Sequence, residues 1–423
     1  MSSLKISLLS ILSSIMVAEG AQTSKITQNW ADLNYICSHG QSLSVGWTAN
    51  PTISNKQSFD NLMFEGGTRA YERNNNRNSL VPLIEGTDGP RGETPLSGAT
   101  DVLSKSLKKG SHKIQFIGSA TGVGGASIDG IGKGSQAYQR IMDDLKHLQT
   151  IATESGKKLC MPSFIWTQGE TDQQNKQTKE WYKNKMSQLI ADINTDAKAI
   201  TGQTQDILCF GYQVGSHLHY YQHNPTYYPR IAIAQLEMAL DDHSNYIMTT
   251  PMYHFDYSDG VHLTAPMSRL YGEYVGLTMN KVLVEGKKWK PLHPTSHRII
   301  KKGKTWEIHL QFHVPKQPLV IDTKSVSDPG NYGFSITDDN NTASLIDSIQ
   351  IKNGNTIIIT TPSDPRKLRV RYGMTLDKHL KSGPQTGARG CLRDSQGNQY
   401  TTKIQDKTYR LDNWCPFFDY QLN

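Results

Sequence analysis

Two hydrophobic rhythms divide this chain. Between about residues 113 and 285, short apolar runs alternate with longer stretches of helical spacing. Beyond about residue 305 only short, alternating runs remain. The first rhythm predicts strands at 34–37, 113–118, 158–166, 206–214 and 246–250. Between them it predicts helices at 135–155, 178–200, 230–241 and 265–285. In the first of these helices Ile141, Leu145, Leu148 and Ile151 share one face. Strands alternating with helices imply βαβ units and a parallel sheet. With right-handed crossovers, the expected fold class is α/β, a three-layer α/β/α doubly wound sheet at 31–290. Residues 48–110 are rich in Gly and Asn and carry few periodic runs, so they read as a long functional or inserted loop.

The pattern changes at 289–294. Strands are predicted at 306–312, 319–321, 346–351, 356–361 and 368–372, with the Asn353-Gly354 pair as a hairpin signal. This predicts an all-β sandwich domain at 291–423, accessory to the first. A chain ending near Pro291 is therefore expected to keep whatever activity the first domain carries, if it folds.

Residues 1–30 support two readings. Lys5, the apolar run 6–18 and the small residues near Ala18 and Gly20 resemble a secretory signal. Leu4, Leu8, Ile11, Ile15 and Ala18 instead keep the seam spacing of a coiled coil, which implies a homo-oligomer such as a trimer. Either reading makes the protein extracellular, secreted or displayed on a virion tail. No stretch is long and apolar enough to span a membrane.

Composition changes this picture little. Hydrophobic residues make up 36% and charged residues 20% of 423 residues, which suits a globular protein. The net charge of +7 is spread along the chain. The lysines at 287–290 and 301–304 flank an apparent linker and read as solvated surface charge rather than a nucleic-acid footprint. The five cysteines are widely spaced and odd in number, against a disulfide framework or a zinc site. Cys391 with Cys415 is the one pair considered for a bridge.

Candidate chemistry lies where the predicted strands end. The stretch NYICSHGQSLSVG, 34–46, closes a buried apolar run with small residues and Ser42. Three further motifs follow in the same position: ATGVGGASI at 120–128, WTQGETD at 166–172 and DGVH at 259–262. Acyl transfer to serine needs a nucleophile, a base, an acid that orients the base and donors for the oxyanion. Ser42 offers the hydroxyl and His262 the imidazole. Asp259, three residues earlier, can reach Nδ1 of His262. Gly124 and Gly125 can offer unobstructed N–H groups, and Gln168 a side-chain amide. Each has an ordinary structural role as its alternative: a turn, a cap, a strand end or a satisfied core amide. Their common position on one sheet edge is what favours chemistry.

In this order the motifs resemble the SGNH hydrolases, and within them the branch of sialate O-acetylesterases and acetyl xylan esterases of carbohydrate esterase family six. That branch has GQS at the nucleophile and glutamine in place of the usual asparagine, as Gly40 to Ser42 and Gln168 do here. The resemblance implies Ser42 as nucleophile, His262 as base and Asp259 as its partner. It implies an oxyanion hole of the Ser42 N–H, Gly125 and Gln168, with Glu170 as an alternative or additional acid. No metal or organic cofactor is implied. The chain departs from the usual GQSN in having Leu43 after the serine.

The expected function is a serine esterase that removes O-acetyl groups from a carbohydrate: sialic acid, capsule or O-antigen, or a xylan-type glycan. The alternative is a glycan- or host-recognition binding protein, such as a viral tail component, that retains the fold without turnover. A lipase or thioesterase ranks last, for want of an apolar loop cluster near the motifs. Arg69, Arg91 and Glu93 could face a ligand from the long loop. His217, His219 and Tyr220 open the aromatic stretch HLHYYQHNPTYY, which could stack on a sugar or fill a core.

Overall fold

The computed structural model describes residues 30–72, 75–107, 114–218, 228–374 and 380–423. The N-terminal stretch, with its two readings, lies outside the described residues, as do His219 and Tyr220.

The chain begins with β1 (Leu33–Gly40), which is buried at every position. A strand buried on both faces reads as a continuous apolar run rather than an alternation. The strand continues past the predicted stop at Ser38, because its polar residues are satisfied inside the sheet. Ser38 Oγ donates to Ser44 O, and the His39 ring sits between Thr121 Oγ1 and Ile131 O. Then come β2 (Leu62–Phe64), β3 (Leu80–Pro82), α1 (Leu96–Leu107), β4 (Gln115–Ala120), α2 (Ile128–Ile131), α3 (Gln136–Glu154) and β5 (Leu159–Thr167). These are followed by α4 (Glu170–Gln174), α5 (Lys179–Thr201), β6 (Leu208–Gln213), α6 (Arg230–Leu240), β7 (Tyr246–Pro251) and α7 (Ala265–Met279). The long helices start where the sequence can cap them. Ser135 accepts from Tyr138 N and Thr178 from Trp181 N, each cap worth about 1 kcal/mol.

Among the described residues these strands form one seven-stranded sheet, ordered β3-β2-β4-β1-β5-β6-β7. Only β3 runs antiparallel to its neighbour. The chain leaves β1 toward β4 on one side and returns to β5 on the other. The switch point, where ligands bind in open α/β sheets, therefore lies at the C-terminal end of β1.

The stretch 48–110 is not a plain loop. It contains β2, β3 and α1, and α1 packs on α7. The helix escaped notice although Leu96, Ala99 and Leu103 recur at helical spacing, because the rest of its sequence, LSGATDVLSKSL, is mostly small and polar and holds a glycine. That glycine permits the crossing: a Cβ at Gly98 would lie 2.5 Å from Arg269 O, and one at Gly272 would lie 2.2 Å from Pro95 O.

The C-terminal region contributes β8 (His293–Lys302), β9 (Thr305–His313), β10 (Val320–Ile321), β11 (Phe334–Thr337), β12 (Ala343–Ser344) and β13 (Ser348–Lys352). It ends with β14 (Thr356–Thr361), β15 (Arg369–Tyr372), β16 (Leu392–Arg393), β17 (Thr401–Ile404), β18 (Lys407–Arg410) and β19 (Phe418–Gln421). Two antiparallel four-stranded sheets, β13-β14-β9-β8 and β12-β11-β15-β19, face each other through Ile308, Leu310, Ile357, Phe334, Val370 and Phe418. This is the β-sandwich. The stretch between the two lysine groups is not a linker but β8: Lys301 and Lys302 end it, and Gly303 and Lys304 form its tight turn into β9. All five cysteines are free and buried, so Cys391 and Cys415 are core thiols rather than a bridge.

The sandwich is not a loosely tethered appendage. Trp414 and Phe417 belong to the same apolar cluster as α7 residues Leu270, Tyr274 and Val275. The Gln213 side chain, at the end of β6, donates to Phe417 O at 2.9 Å and accepts from Phe417 N at 2.7 Å. Tyr253 OH donates to Cys415 O, and Ser382 Oγ to Gly215 O.

Candidate active site

The site grows from the end of β1. Gly40 has φ +142°, and a Cβ there would sit 2.2 Å from Thr167 O, so only glycine lets β1 and β5 close at this point. The chain turns at once into a short 3₁₀ helix, Ser42–Val45, fastened by Ser44 Oγ donating to Gln41 O. This turn lifts Ser42 to the sheet's C-terminal edge, where it is 6% exposed.

His262 Nε2 lies 2.8 Å from Ser42 Oγ, and His262 Nδ1 lies 2.8 Å from Asp259 Oδ2. The other Asp259 oxygen accepts from the backbone N–H groups of Val261 and His262 at 2.9 and 2.8 Å. Partial burial works to raise the Asp259 pKa. The hydrogen bonds from the His262 ring and from these N–H groups prevail and hold it below the usual range. The acid is thus ionised and fixed in orientation, and it holds the imidazole against the serine.

Glu170 occupies a different place. It is buried at the start of α4, where Tyr212 OH donates to its two oxygens at 2.8 and 2.7 Å and Ser216 Oγ lies at 3.5 Å. Burial raises its pKa, against the opposing bonds from Tyr212 and the charge of nearby His262. The carboxylate that holds His262 Nδ1 is that of Asp259.

The glycine turn passes beside the serine. A Cβ on Gly124 would approach Ser42 Cβ to 3.9 Å, whereas Gly125, at φ +69°, faces open space. Gly122 is the close-approach residue of this turn: a Cβ there would meet Ser44 Oγ at 2.0 Å and Gly40 O at 2.4 Å. Gln168 is buried, and its amide donates to Asp172 Oδ2 at 2.6 Å and to Ala126 O at 3.4 Å. Asp172 also accepts from Ile128 N at 3.0 Å. The amide therefore ties the end of β5 to the glycine turn in this resting arrangement. Gln41 completes the frame, its Oε1 accepting from Gly169 N and Thr171 N at 3.5 and 3.4 Å.

The residues expected to face a ligand are largely engaged by the protein itself. Arg69 donates to Val45 O, Gly92 O and Gly86 O, and it lines a 370 Å³ cavity with Glu65 and Thr68. Glu93 is wholly buried and accepts from Ile53 N, Ser54 N and Ser54 Oγ. Both brace the loop around the nucleophile turn. His217 is 1% exposed and packs edge-on against Phe417, and burial lowers its pKa to about 3. It fills the core between the two regions.

Three residues at the site escaped the sequence reading. Trp47, 37% exposed, has its ring centroid 6.4 Å from that of His262. Val123, also 37% exposed, stands on the glycine turn. Tyr212 holds Glu170. A tryptophan five residues beyond the serine was the one signal available for Trp47.

Residues 87–281 match the model of a carbohydrate esterase family, the sialic acid-specific acetylesterases. The matched span holds Gly125, Gln168, Glu170, Asp259 and His262, and Ser42 precedes it. No curated protein sequence matches the chain significantly. Among solved structures, a carbohydrate acetylesterase from Xanthomonas citri covers 85% of this chain and 77% of its own at TM-score 0.54 and 14% identity, so the two share a fold. A protein from Arabidopsis thaliana covers 59% of this chain and 98% of its own at TM-score 0.42 and 17% identity. A carbohydrate acetylesterase from Sinorhizobium meliloti covers 59% and 99% at TM-score 0.33 and 12% identity. Over residues 87–281 the chain is therefore similar to the carbohydrate esterases of the sialic acid-specific acetylesterase family.

Proposed function

We propose that this protein is a serine esterase that removes O-acetyl groups from a glycan, with Ser42, His262 and Asp259 as its catalytic residues. The single observation that carries the reading is the continuous relay of two 2.8 Å contacts, Ser42 Oγ to His262 Nε2 and His262 Nδ1 to Asp259 Oδ2.

The chemistry follows from that geometry. His262 Nε2 accepts the Ser42 proton as Oγ attacks the acetyl carbonyl carbon. Asp259 keeps the imidazole in the required tautomer and stabilises the imidazolium. The carbonyl oxygen becomes an oxyanion facing the glycine turn beside Ser42, where the N–H of Ser42 and those of the turn are the donors assigned to it. His262 then protonates the departing sugar oxygen, leaving an acetyl group on Ser42. Water attacks that ester with His262 again as base. Acetate leaves and Ser42 Oγ regains its proton. For Gln168 to join the oxyanion hole it must give up its long bond to Ala126, so we assign it the second role of holding the turn in place.

The sugar is assigned to the rim. Trp47 is exposed beside His262 and can cover the C–H face of a pyranose. Val123 is exposed on the glycine turn next to Gly124, and we assign it to the acetyl methyl.

The test is acetate release from a panel of O-acetylated glycans, including acetylated sialic acid and acetylated xylan, with Ser42→Ala as control. Release from at least one glycan that depends on Ser42 is expected. Binding of glycans without any acetate release would instead support a recognition protein.

A further inference from the structure

Past α7 the chain reads KVLVEGKKWK over 281–290. A π-turn, Asn280–Val284, and a left-handed Gly286 at φ +64° fold this segment back against the sandwich. With Lys316, Gln396 and Tyr400 it walls a cavity of about 280 Å³. Lys281, Lys287, Lys288, Lys290 and Lys316 line this cavity, with His313, and among the described residues no Asp or Glu lines it.

The nearby carboxylates are already engaged. Glu285 pairs with Lys287 at 2.6 Å, and Asp242 pairs with Lys290 at 3.1 Å. Asp394 accepts from the backbone N–H groups of Lys316, Gln396 and Asn413 and from the Asn413 side chain. Among the described residues Lys281, Lys288 and Lys316 have no ion pair. Lys281 is also partly sunk: its ammonium donates to the neutral Gln396 amide and lies 4.3 Å from the Trp289 ring centroid. Burial pushes its pKa down to about 8. Asp394 and Glu285 act on it only at a distance and do not offset that burial, so an incoming anion in direct contact would relieve it.

The rim adds an apolar surface. Tyr400 is 39% exposed and borders the cavity. An exposed ring beside lysines suits a flat C–H face that carries an anion. The volume is near the lower end of small-ligand sites, about 300 Å³.

We propose that this cavity binds the carboxylate of an acidic sugar unit, with Lys281, Lys288 and Lys316 taking the anion and Tyr400 covering the ring. It is a second site, distinct from the esterase centre. α7, with 15 residues and thus a length of about 22 Å, runs between the His262 loop and Lys281. A chain of acidic sugars held here would raise the local concentration of its acetylated units at Ser42.

The experiment uses the full chain and isothermal titration with three probes: an oligogalacturonate, a neutral xylo-oligosaccharide and inorganic phosphate. The oligogalacturonate is expected to bind and the neutral oligosaccharide not to. Lys288→Glu with Lys316→Glu is expected to weaken oligogalacturonate about tenfold or more. Lys301→Glu with Lys304→Glu makes the same charge change on the distant hairpin and is expected to leave binding unchanged. Tyr400→Ala is expected to weaken oligogalacturonate but not phosphate. The proposal is overturned by absence of oligogalacturonate binding, by equal loss in the two lysine pairs, or by a silent Tyr400→Ala with phosphate bound as tightly as the sugar. Turnover of a small acetyl ester, read on the same samples, is expected to stay at the wild-type level. A failure of this site is thereby separated from a failure of the Ser42 chemistry.

Discussion

The backbone N–H of Ser382, in the C-terminal region, donates to Gly260 O at 3.3 Å, between the two residues that flank the catalytic loop's turn. The sandwich therefore supports the very loop that carries Asp259 and His262. Gly260 has φ +94°, and a Cβ there would lie 2.9 Å from Cβ and Cγ of Lys381. The contact has a direct consequence. A chain ending near Pro291 removes this support and exposes the face held by Phe417 and Trp414. It is expected to lose small-ester turnover, contrary to what the sequence alone suggested. Gly260→Ala probes the same contact in the full chain. We expect turnover to fall about tenfold or more, and the backbone strain, on the order of 1 kcal/mol, to lower the thermal midpoint by a few degrees only. Full activity in the truncated chain would show that the loop holds itself.

Ser42→Ala is expected to lower turnover of a small acetyl ester by about 10⁴ or more, as removal of a triad member does. The fold should survive, since the hydroxyl is small and the turn is held by Ser44 and Gln41. Comparison of kcat with circular dichroism on the same sample checks it. Retained turnover would move the nucleophile elsewhere.

The two candidate acids separate by geometry. Asp259→Asn presents an amide to His262 Nδ1 and favours the wrong tautomer, at an expected cost of about 10⁴ in kcat. Glu170→Gln keeps a partner for Tyr212 and removes only a buried charge near His262, so a loss of about tenfold or less is expected. Steady-state kinetics on both variants decide the matter. A severe Glu170→Gln beside a mild Asp259→Asn would reverse the assignment.

Trp47→Ala tests the rim. The ring lies beside His262, centroids 6.4 Å apart, but carries no group that takes or gives a proton, so kcat on a small acetyl ester should move little. The KM for an acetylated glycan should rise about tenfold, the worth of one well-placed aromatic contact. An unchanged KM on every glycan that the wild type cleaves would take the sugar away from this ring.

How much of this could be read from the chain differs by element. Helices α3, α5, α6 and α7 were legible because their apolar positions lie within one continuous segment, and α3 and α5 also start at the Ser135 and Thr178 caps; the five-residue α4 was too short to show a period. The relay was legible because its acid and base are three residues apart and each motif ends a strand. The continuation of β1 past Ser38 was not, because it depends on Thr121 and Ile131 O, some 80 to 90 residues away, to satisfy His39. Helix α1 was missed because serines, a threonine and a glycine dilute its apolar face, and the glycine reads as a breaker until its close crossing with α7 is seen. Arg69 and Glu93 looked like ligand-facing charges because a sequence does not show which backbone carbonyls and N–H groups will surround them. The contact of the sandwich with the His262 loop joins residues more than a hundred positions apart, and the hydrophobic pattern holds no trace of it.

The last prediction concerns acid stability. His217 is 1% exposed, and burial lowers its folded pKa to about 3, against about 6.5 in an unfolded chain. Above about pH 6.5 it is neutral in both states and contributes no pH dependence. As pH falls from about 6.5 toward 3, the unfolded chain takes up a proton that the folded protein refuses, so stability falls. The slope is up to about 1.4 kcal/mol per pH unit for this one group. His39, lowered by burial to about 4, acts in the same direction. Glu85 opposes them: burial, then the charge of Glu93, raises it to about 7, so its own contribution grows as pH falls from there toward the ordinary carboxylate range. The wild-type slope is a sum of such terms, and a difference isolates one of them. His217→Phe keeps an aromatic ring against Phe417 and removes the proton site. Urea unfolding at pH 6.5, 5.5 and 4.5 should give a shallower loss of stability for His217→Phe than for the wild type, by up to about 1.4 kcal/mol per pH unit. Parallel slopes for the two proteins would mean that His217 takes up its proton in the folded state, and with it the account of His217 as a neutral core residue would fall.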